Sequence, residues 1–249
     1  MKETIAQAIQ QYAAHHHLKE FHPRAVLFDM DGVLYDSMPS HARAWHEAMK
    51  KFGIDMPAYE AFEVEGMRGV EICQNKVREQ LHREITEEEA EMMYQEKAKC
   101  FASYGQPTKM EGVEMLMRKM KADGLRIGVV TGSGQRPLIE RLCHDFEGFI
   151  ELPYIVTSYD VTRGKPEPEP YLKGLEKVGV AATEAIVVEN APLGVRAAVA
   201  ANIFTVAVNT GPLPEEMLKD EKANVVFKKM TDFCDMWDNF SRNDKFINK

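Results

Sequence analysis

The sequence predicts a doubly wound α/β fold: a parallel sheet with helices on both faces and an all-helical insertion near its start. Three observations predict it. From residue 105 onward, short apolar runs alternate strictly with segments whose apolar residues recur at helical spacing. A further apolar run, Arg24 to Met30, shows no polar alternation, as expected of a strand covered on both faces. Between that run and residue 105 the chain is helical throughout, from about 38 to 104.

The composition narrows the class. A chain of 249 residues suits one large domain or a domain with an insertion, and 45% hydrophobic residues suffice for a full core. A net charge of -8 argues against a general nucleic-acid or anionic-membrane binder. It leaves room for a small anionic substrate held by a few local donors. Cys73, Cys100, Cys143 and Cys234 are widely spaced and form no C-x-x-C, so reduced thiols in a cytoplasmic protein are expected. No apolar run approaches the roughly 20 residues that span a bilayer. The N-terminus lacks the apolar core of a signal peptide.

Residues 1–22 read as an N-terminal extension that is helical to about residue 20. Ile5, Ala8, Ile9, Tyr12 and Ala13 make one apolar stripe, expected to lie outside the core or on a partner subunit. His15, His16 and His17 read as a solvated helix end, since adjacent helical residues do not face one another. In the insertion, Trp45, Ala48, Met49 and Phe52 form a stripe stopped by Gly53, and Thr86 with Glu89 forms a capping box. Gly105-Gln106-Pro107 ends the insertion. Val113, Leu116, Met117 and Met120 then mark a helix ended by Asp123-Gly124, and Arg126 to Val130 a strand. Leu138, Ile139, Leu142 and Cys143 mark the next helix, and Tyr154 to Thr157 the next strand. Tyr171, Leu172, Leu175 and Val178 form a helix stopped at Gly179, followed by a strand at Ala185 to Val188. A helix at Val195 to Ala201, a strand at Phe204 to Val208, an edge strand at Val225 to Phe227 and a helix near 231–240 complete the chain. The expected division is thus a core of residues 23–37 and 105–249 and a helical cap of residues 38–104. The cap leaves the carboxyl end of the first strand, the side where such sheets bind ligands, and is placed as a lid.

Polar residues stand just past the strands. The first ends in Asp29 and Asp31, the second in Thr131-Gly132-Ser133 and the fourth in Glu189-Asn190, while Gly164-Lys165-Pro166 lies in the loop after the third. An ionised Asp is costly away from water unless it is paired or holds a cation. Each group alone is weak evidence; Thr-Gly-Ser is commonly only a turn. Together they bring two carboxylates, a hydroxyl, an ammonium and further oxygen ligands to one edge, a set suited to phosphoryl transfer with Mg²⁺. Thr131, nearby amides and helix N-termini can hold phosphate oxygens.

In these four segments the chain resembles the haloacid dehalogenase (HAD) superfamily of phosphatases and phosphotransferases, from about residue 23 to 240. The insertion resembles the family's C1 cap, and the nearest subgroup is the β-phosphoglucomutase-like proteins, close to its pyrophosphatase members. The resemblance implies a HAD-like Rossmannoid core with Asp29 as nucleophile, forming an aspartyl phosphate, and Asp31 as general acid/base. Lid closure is expected to raise the Asp31 pKa above its ordinary ~3.9 so that it can donate a proton. Thr131, Gly132, Ser133 and Lys165 would bind phosphate. Asp29, the Asp31 carbonyl and Asn190 would ligate Mg²⁺, with Glu189 in or next to that shell. His41, Glu65 and Arg68 are the cap candidates for specificity; each could instead face solvent. Glu65 and Gly134 stand where the sugar mutases carry basic residues. Both departures count against mutase activity, and Glu65 as an extra metal ligand fits pyrophosphate.

The expected function is Mg²⁺-dependent hydrolysis of a small phosphoester or pyrophosphate, with β-phosphoglucomutase as the alternative and a non-catalytic phosphometabolite binder as the rival of another class. No nucleic-acid or membrane partner is expected, and the state is monomer or weak homodimer. A dinucleotide loop at Gly132 fails because Pro137 stands at the third glycine, and no P-loop is present. A binder would be expected to lack Asp29, Asp31 or Lys165; none is lost.

Overall fold

A computed structural model of the chain describes residues 2–134 and 136–241. Six parallel strands form one sheet: β1 (Ala25–Phe28), β2 (Arg126–Val130), β3 (Ile155–Val156), β4 (Ala185–Glu189), β5 (Phe204–Val208) and β6 (Val225–Phe227). Their order is β3-β2-β1-β4-β5-β6, with the expected edge strand at one side. The chain builds outward from β1 in one direction and then returns to build from β4 in the other. The switch point between β1 and β4 is where sheets of this type open a crevice for ligands.

Alternate strand residues serve two cores. Val26 and Phe28 face a large cluster with Ile5, Tyr12, Leu116, Leu142 and Trp237, while Ala25 and Leu27 face Tyr171, Leu175, Ala197 and Ala198. The first face is covered by α1 (Lys2–His15), α6 (Val113–Ala122), α7 (Arg136–Asp145) and α11 (Met230–Ser241). The second is covered by α8 (Glu169–Val178) and α9 (Pro192–Ala200).

Between β1 and β2 the chain forms α2 (Met38–Lys51), α3 (Glu60–Glu63), α4 (Gly69–Leu81) and α5 (Glu87–Ser103). These four helices bury a cluster of their own, including Trp45, Met49, Ile72, Val77 and Met93. The capping box of α5 is formed in both directions: the Glu89 amide donates to Thr86 Oγ1 (3.1 Å) and the Thr86 amide to Glu89 Oε2 (2.8 Å). All four cysteines are free thiols. Among the described residues no helix is long and apolar enough to cross a membrane.

Three expectations are corrected. The N-terminal helix ends at His15, and His17 adopts the left-handed conformation. The helix is also part of the main core rather than an external addition. Ile5, Ala8 and Tyr12 are buried, and the Tyr12 ring lies edge-on to Phe21 and Phe204, with centroids 5.1 and 5.2 Å away. Phe52 leaves the α2 stripe: it caps the helix and is 39% exposed. A short α10 (Glu215–Asp220), with Leu218 buried, has too few residues to show a helical period.

The Tyr12 hydroxyl donates to the Asn202 carbonyl at 2.8 Å, so Tyr12 joins the extension to the sheet by both packing and a hydrogen bond. Tyr12→Ala should destabilise the protein by about 3 kcal/mol or more. A lowered urea midpoint with an unchanged native far-UV spectrum would show this; an unchanged midpoint would contradict the placement of α1.

Candidate active site

The site starts from the register of β1 with its neighbours. Phe28 pairs with Val129 on one side and Val188 on the other. The next residue in each loop is still held by the adjacent strand: the Asp29 amide donates to the Val188 carbonyl and the Thr131 amide to the Val156 carbonyl, both at 3.0 Å. Asp29 is thus level with Val130, and Thr131 leaves the sheet one residue further along.

Beneath them lies Lys165, 1% exposed. Its ammonium donates to Asp29 Oδ1 (2.5 Å), Glu189 Oε1 (2.6 Å) and the Val130 carbonyl (3.2 Å), so all three of its protons are used. Glu189 Oε1 also accepts from the Tyr171 hydroxyl (2.8 Å), and Oε2 from the Asn190 and Ala191 amides (2.8 and 3.1 Å). Glu189 thus departs from the expected metal shell. Both its oxygens are engaged inside the protein, and it acts as the counter-charge of Lys165.

Two oxygens at this level have no partner. Asp29 Oδ2 and Asn190 Oδ1 are buried and make no hydrogen bond among the described residues. Such orphans are costly unless something absent from the protein itself satisfies them. The charges point the same way: four carboxylates, Asp29, Asp31, Glu65 and Glu189, are gathered around two buried lysines, Lys97 and Lys165. Among the described residues no three His, Cys, Asp or Glu side chains are placed to hold a metal. The donors are instead mixed oxygens, and with the Asp31 carbonyl they fit Mg²⁺, which keeps several waters of its own. Burial pushes Asp29 up to about 8, against Lys165, and Glu189 and Asp31 add to the rise. Positive charge at Oδ2 is what this carboxylate lacks.

Asp31 has the opposite environment. Its Oδ1 accepts from the Ser37 hydroxyl (2.6 Å) and lies 3.0 Å from His41 Nε2. His41 Nδ1 lies 2.5 Å from the Lys97 ammonium. Lys97 has no proton acceptor to offer, so it donates to Nδ1, and Nε2–H donates to Asp31. Lys97 is held in a cage of rings, 5.1 Å from the Trp45 centroid and 5.4 Å from that of Phe101. Burial alone would raise Asp31, but His41, Ser37 and Lys97 outweigh it and hold the acid at about 2. The expectation that closure raises the Asp31 pKa is reversed in this structure, because the cap brings proton donors and not only an apolar cover. Burial lowers Lys97 to about 8.

The roof is the loop between α3 and α4. Gly66 has φ +88° and lies so close to the floor that a Cβ there would come within 2.8 Å of Lys165 Cδ. Glu65 lines a chamber of about 40 Å³ together with Asp31, His41, Lys97 and Ser133. Its carboxyl is raised well above the ordinary range, by burial first and then by Asp31 and Asp29. Arg68 does not line this chamber; its guanidinium donates to the Thr162 carbonyl (3.1 Å) and ties the cap to a core loop. Thr131 is buried at the side, with Oγ1 accepting from the Ser133 amide (3.0 Å).

The structure therefore gathers Asp29, Asp31, Thr131, Gly132, Ser133, Lys165, Asn190, His41 and Glu65, sets Glu189 beneath them and turns Arg68 aside. Sequence reasoning missed Ser37, Lys97 and Tyr171. Lys97 had a readable signal: it continues the buried face of α5 set by Ala90 and Met93 and completed by Phe101. A lysine on an apolar stripe needs an anionic or aromatic partner.

An aspartate pair at a parallel strand end, a buried lysine clamp and a helical lid define a phosphatase or phosphotransferase. The comparisons agree: the family model for haloacid dehalogenase-like hydrolases matches residues 23–202, and the chain belongs to that family. It is 31% identical over 186 residues to hexitol phosphatase A of Escherichia coli, covering 75% of this chain and 83% of that one. It is 34% identical over 120 residues to the provisionally named pyrophosphatase PpaX of Caldanaerobacter subterraneus, covering 48% and 54%. A solved structure from Bacteroides vulgatus, provisionally named a beta-phosphoglucomutase, superposes with a TM-score of 0.93 at 42% identity, covering both chains fully.

Lys97→Met preserves length and removes the charge. His41 is held below its ordinary value by burial and then by Lys97, with Asp31 opposing. The variant should therefore raise the His41 pKa, read from imidazole NMR shifts against pH. An unmoved titration would break the Lys97–His41 link.

Proposed function

We propose that the protein is a Mg²⁺-dependent phosphohydrolase acting through an aspartyl phosphate on substrates with a small leaving group, inorganic pyrophosphate first among them. The observation that carries this reading is Glu65, a third carboxylate, which lines a small chamber with Asp31 and feels the charge of both Asp31 and Asp29. The one basic side chain lining that chamber is Lys97, already engaged with His41. A sugar phosphate that must be gripped by a second, distal phosphate finds no free cation there. A carboxylate placed to add an oxygen ligand suits a second phosphoryl group held through metal.

In the first half-reaction an Asp29 carboxylate oxygen attacks phosphorus, and the bond from phosphorus to the leaving oxygen breaks. The leaving oxygen can take a proton only when the chamber side of Asp31 carries one; no hydrogen bond engages Oδ2 there among the described residues, and with Asp31 ionised a phosphate leaving group departs as the anion. In the second, Asp31 accepts a proton from water, which attacks the acyl phosphate, releases phosphate and restores Asp29. Asp29, Asn190 and the Asp31 carbonyl would hold Mg²⁺, which when bound would offset the charge of the carboxylates and of the transferring group. Lys165 fixes the nucleophile, and Thr131, Gly132 and Ser133 bind phosphate oxygens. An Asp31 held ionised favours the water-activating half. Phosphate as leaving group needs less protonation than a sugar alkoxide, which again supports pyrophosphate over an ester.

The names of hexitol phosphatase A and PpaX support hydrolysis, while that of the Bacteroides vulgatus structure favours a second reading, isomerisation of β-glucose 1-phosphate. Against it, position 134 is glycine, and a Cβ there would meet the Ser158 hydroxyl and the Tyr159 ring at 2.5 Å, so a distal-phosphate lysine would require those side chains to move.

Phosphate release from pyrophosphate should require Mg²⁺, stop with EDTA and return with added Mg²⁺. Asp29→Asn should lower turnover by about 10³-fold or more with the fold intact. Rapid conversion of β-glucose 1-phosphate to glucose 6-phosphate with little phosphate release would overturn the choice. Absence of any Mg²⁺-dependent turnover would leave a binding protein.

A further inference from the structure

Two cavities meet at Tyr94. The inner one is the chamber over Asp31, about 40 Å³. The outer one is an open cleft of about 430 Å³, reaching Glu91, Gln95, Ser158 and Tyr159. Tyr94, Gly69 and Gly132 border both. The Tyr94 ring is half-buried, with Trp45 on the chamber side at a centroid distance of 6.2 Å. It lies on Gly69 so closely that a Cβ there would come within 2.2 Å of Cδ2 and 2.3 Å of Cε2. Any side chain at 69 would displace the ring. Glycine at the first position of α4 is therefore the socket in which the ring stands.

We infer that Tyr94 is a specificity-determining residue that limits the size of the leaving group. The ring stands between the chamber bordered by Asp31 and a cleft about ten times larger, whose lining includes Glu91, Gln95 and Ser158. With the ring in place, a productive substrate must end within the inner chamber. Phosphoanhydrides and esters with very few leaving-group atoms meet that condition; a hexitol or hexose does not. Without the ring the two spaces join, and a polyol can extend toward the hydroxyls, amide and carboxylate of the outer cleft. The inference rests on the hydrolase reading and names what restricts its substrates.

The test compares kcat/KM for pyrophosphate and for sorbitol 6-phosphate in the full chain with Mg²⁺. Wild type should prefer pyrophosphate. Tyr94→Ala should raise the sorbitol 6-phosphate to pyrophosphate ratio by at least about tenfold, the scale on which a few buried carbons discriminate. Tyr94→Phe should keep the wild-type ratio, since the ring and not its hydroxyl does the excluding. Tyr94→Leu keeps an apolar contact with Trp45 and loses the outer half of the ring. It should move the ratio in the same direction and serves if Tyr94→Ala does not fold. A wild-type ratio in either folded small variant, or the same rise in Tyr94→Phe, would overturn the filter. Wild type that prefers sorbitol 6-phosphate would overturn the filter and leave the hydrolase reading standing. Wild type that releases phosphate from neither would overturn both.

Discussion

The ammonium of Lys165, enclosed between Asp29 and Glu189 at 2.5 and 2.6 Å, is the constraint on which the site depends. All three side chains are at most 2% exposed. Buried charges of this kind are tolerated only when paired and fully hydrogen-bonded, and removing one partner strands the others. The sheet supplies the spacing. β1 and β4 are hydrogen-bonded neighbours, so the carboxylates at their ends are held a strand apart, and a lysine from the loop before α8 fits between them. Tyr171 on α8 closes the clamp from the opposite face. Asp29, the proposed nucleophile, is thereby fixed by three elements at once, with one oxygen committed to Lys165 and the other without a hydrogen bond among the described residues.

The two aspartates of one short motif differ because their surroundings differ. For Asp29, burial is the largest influence and the single lysine is shared with Glu189. For Asp31, proton donors from α2, α5 and the segment between β1 and α2 outweigh the same burial. Divergent environments are how paired carboxylates divide their roles. The division also depends on the insertion, since His41 and Lys97 both belong to it. How far the Asp31 pKa lies below its ordinary value thus depends on residues of the insertion.

Much of this was legible in the sequence, and the failures share a physical cause. The strand ends could be read because an apolar run that stops at a carboxylate has no packing reason to do so. What a pattern cannot give is direction in three dimensions. Glu189 follows β4 as expected, yet it turns under the site because two backbone amides and Lys165 hold its oxygens. The stripe through Ile5, Ala8 and Tyr12 showed that one face of α1 is buried, but not that it is buried against Phe204 in the central sheet. Asp31 read as an acid in need of an apolar cover, because Lys97, which acts on it from α5 through His41, lies 56 residues beyond His41. Long-range pairings of this kind leave a mark only where a charged residue interrupts an apolar stripe, as Lys97 does.

That interruption joins the chemistry to the selectivity. Tyr94 and Lys97 are three residues apart on α5, and residues at that spacing lie on the same face of a helix. One turn of one helix therefore presents an ammonium to His41 and an aromatic ring to Gly69. Seating the cap brings both at once. A shift of α5 that loosened the ring would also draw Lys97 from His41, so a substrate too large for the chamber would disturb the Lys97–His41–Asp31 chain as well as the ring. Size selection and proton transfer then draw on the same packing, the cluster of Trp45, Ile72 and Met93 beneath α5. The cap thus acts as more than a cover: it supplies the histidine and the lysine that offset the burial of Asp31.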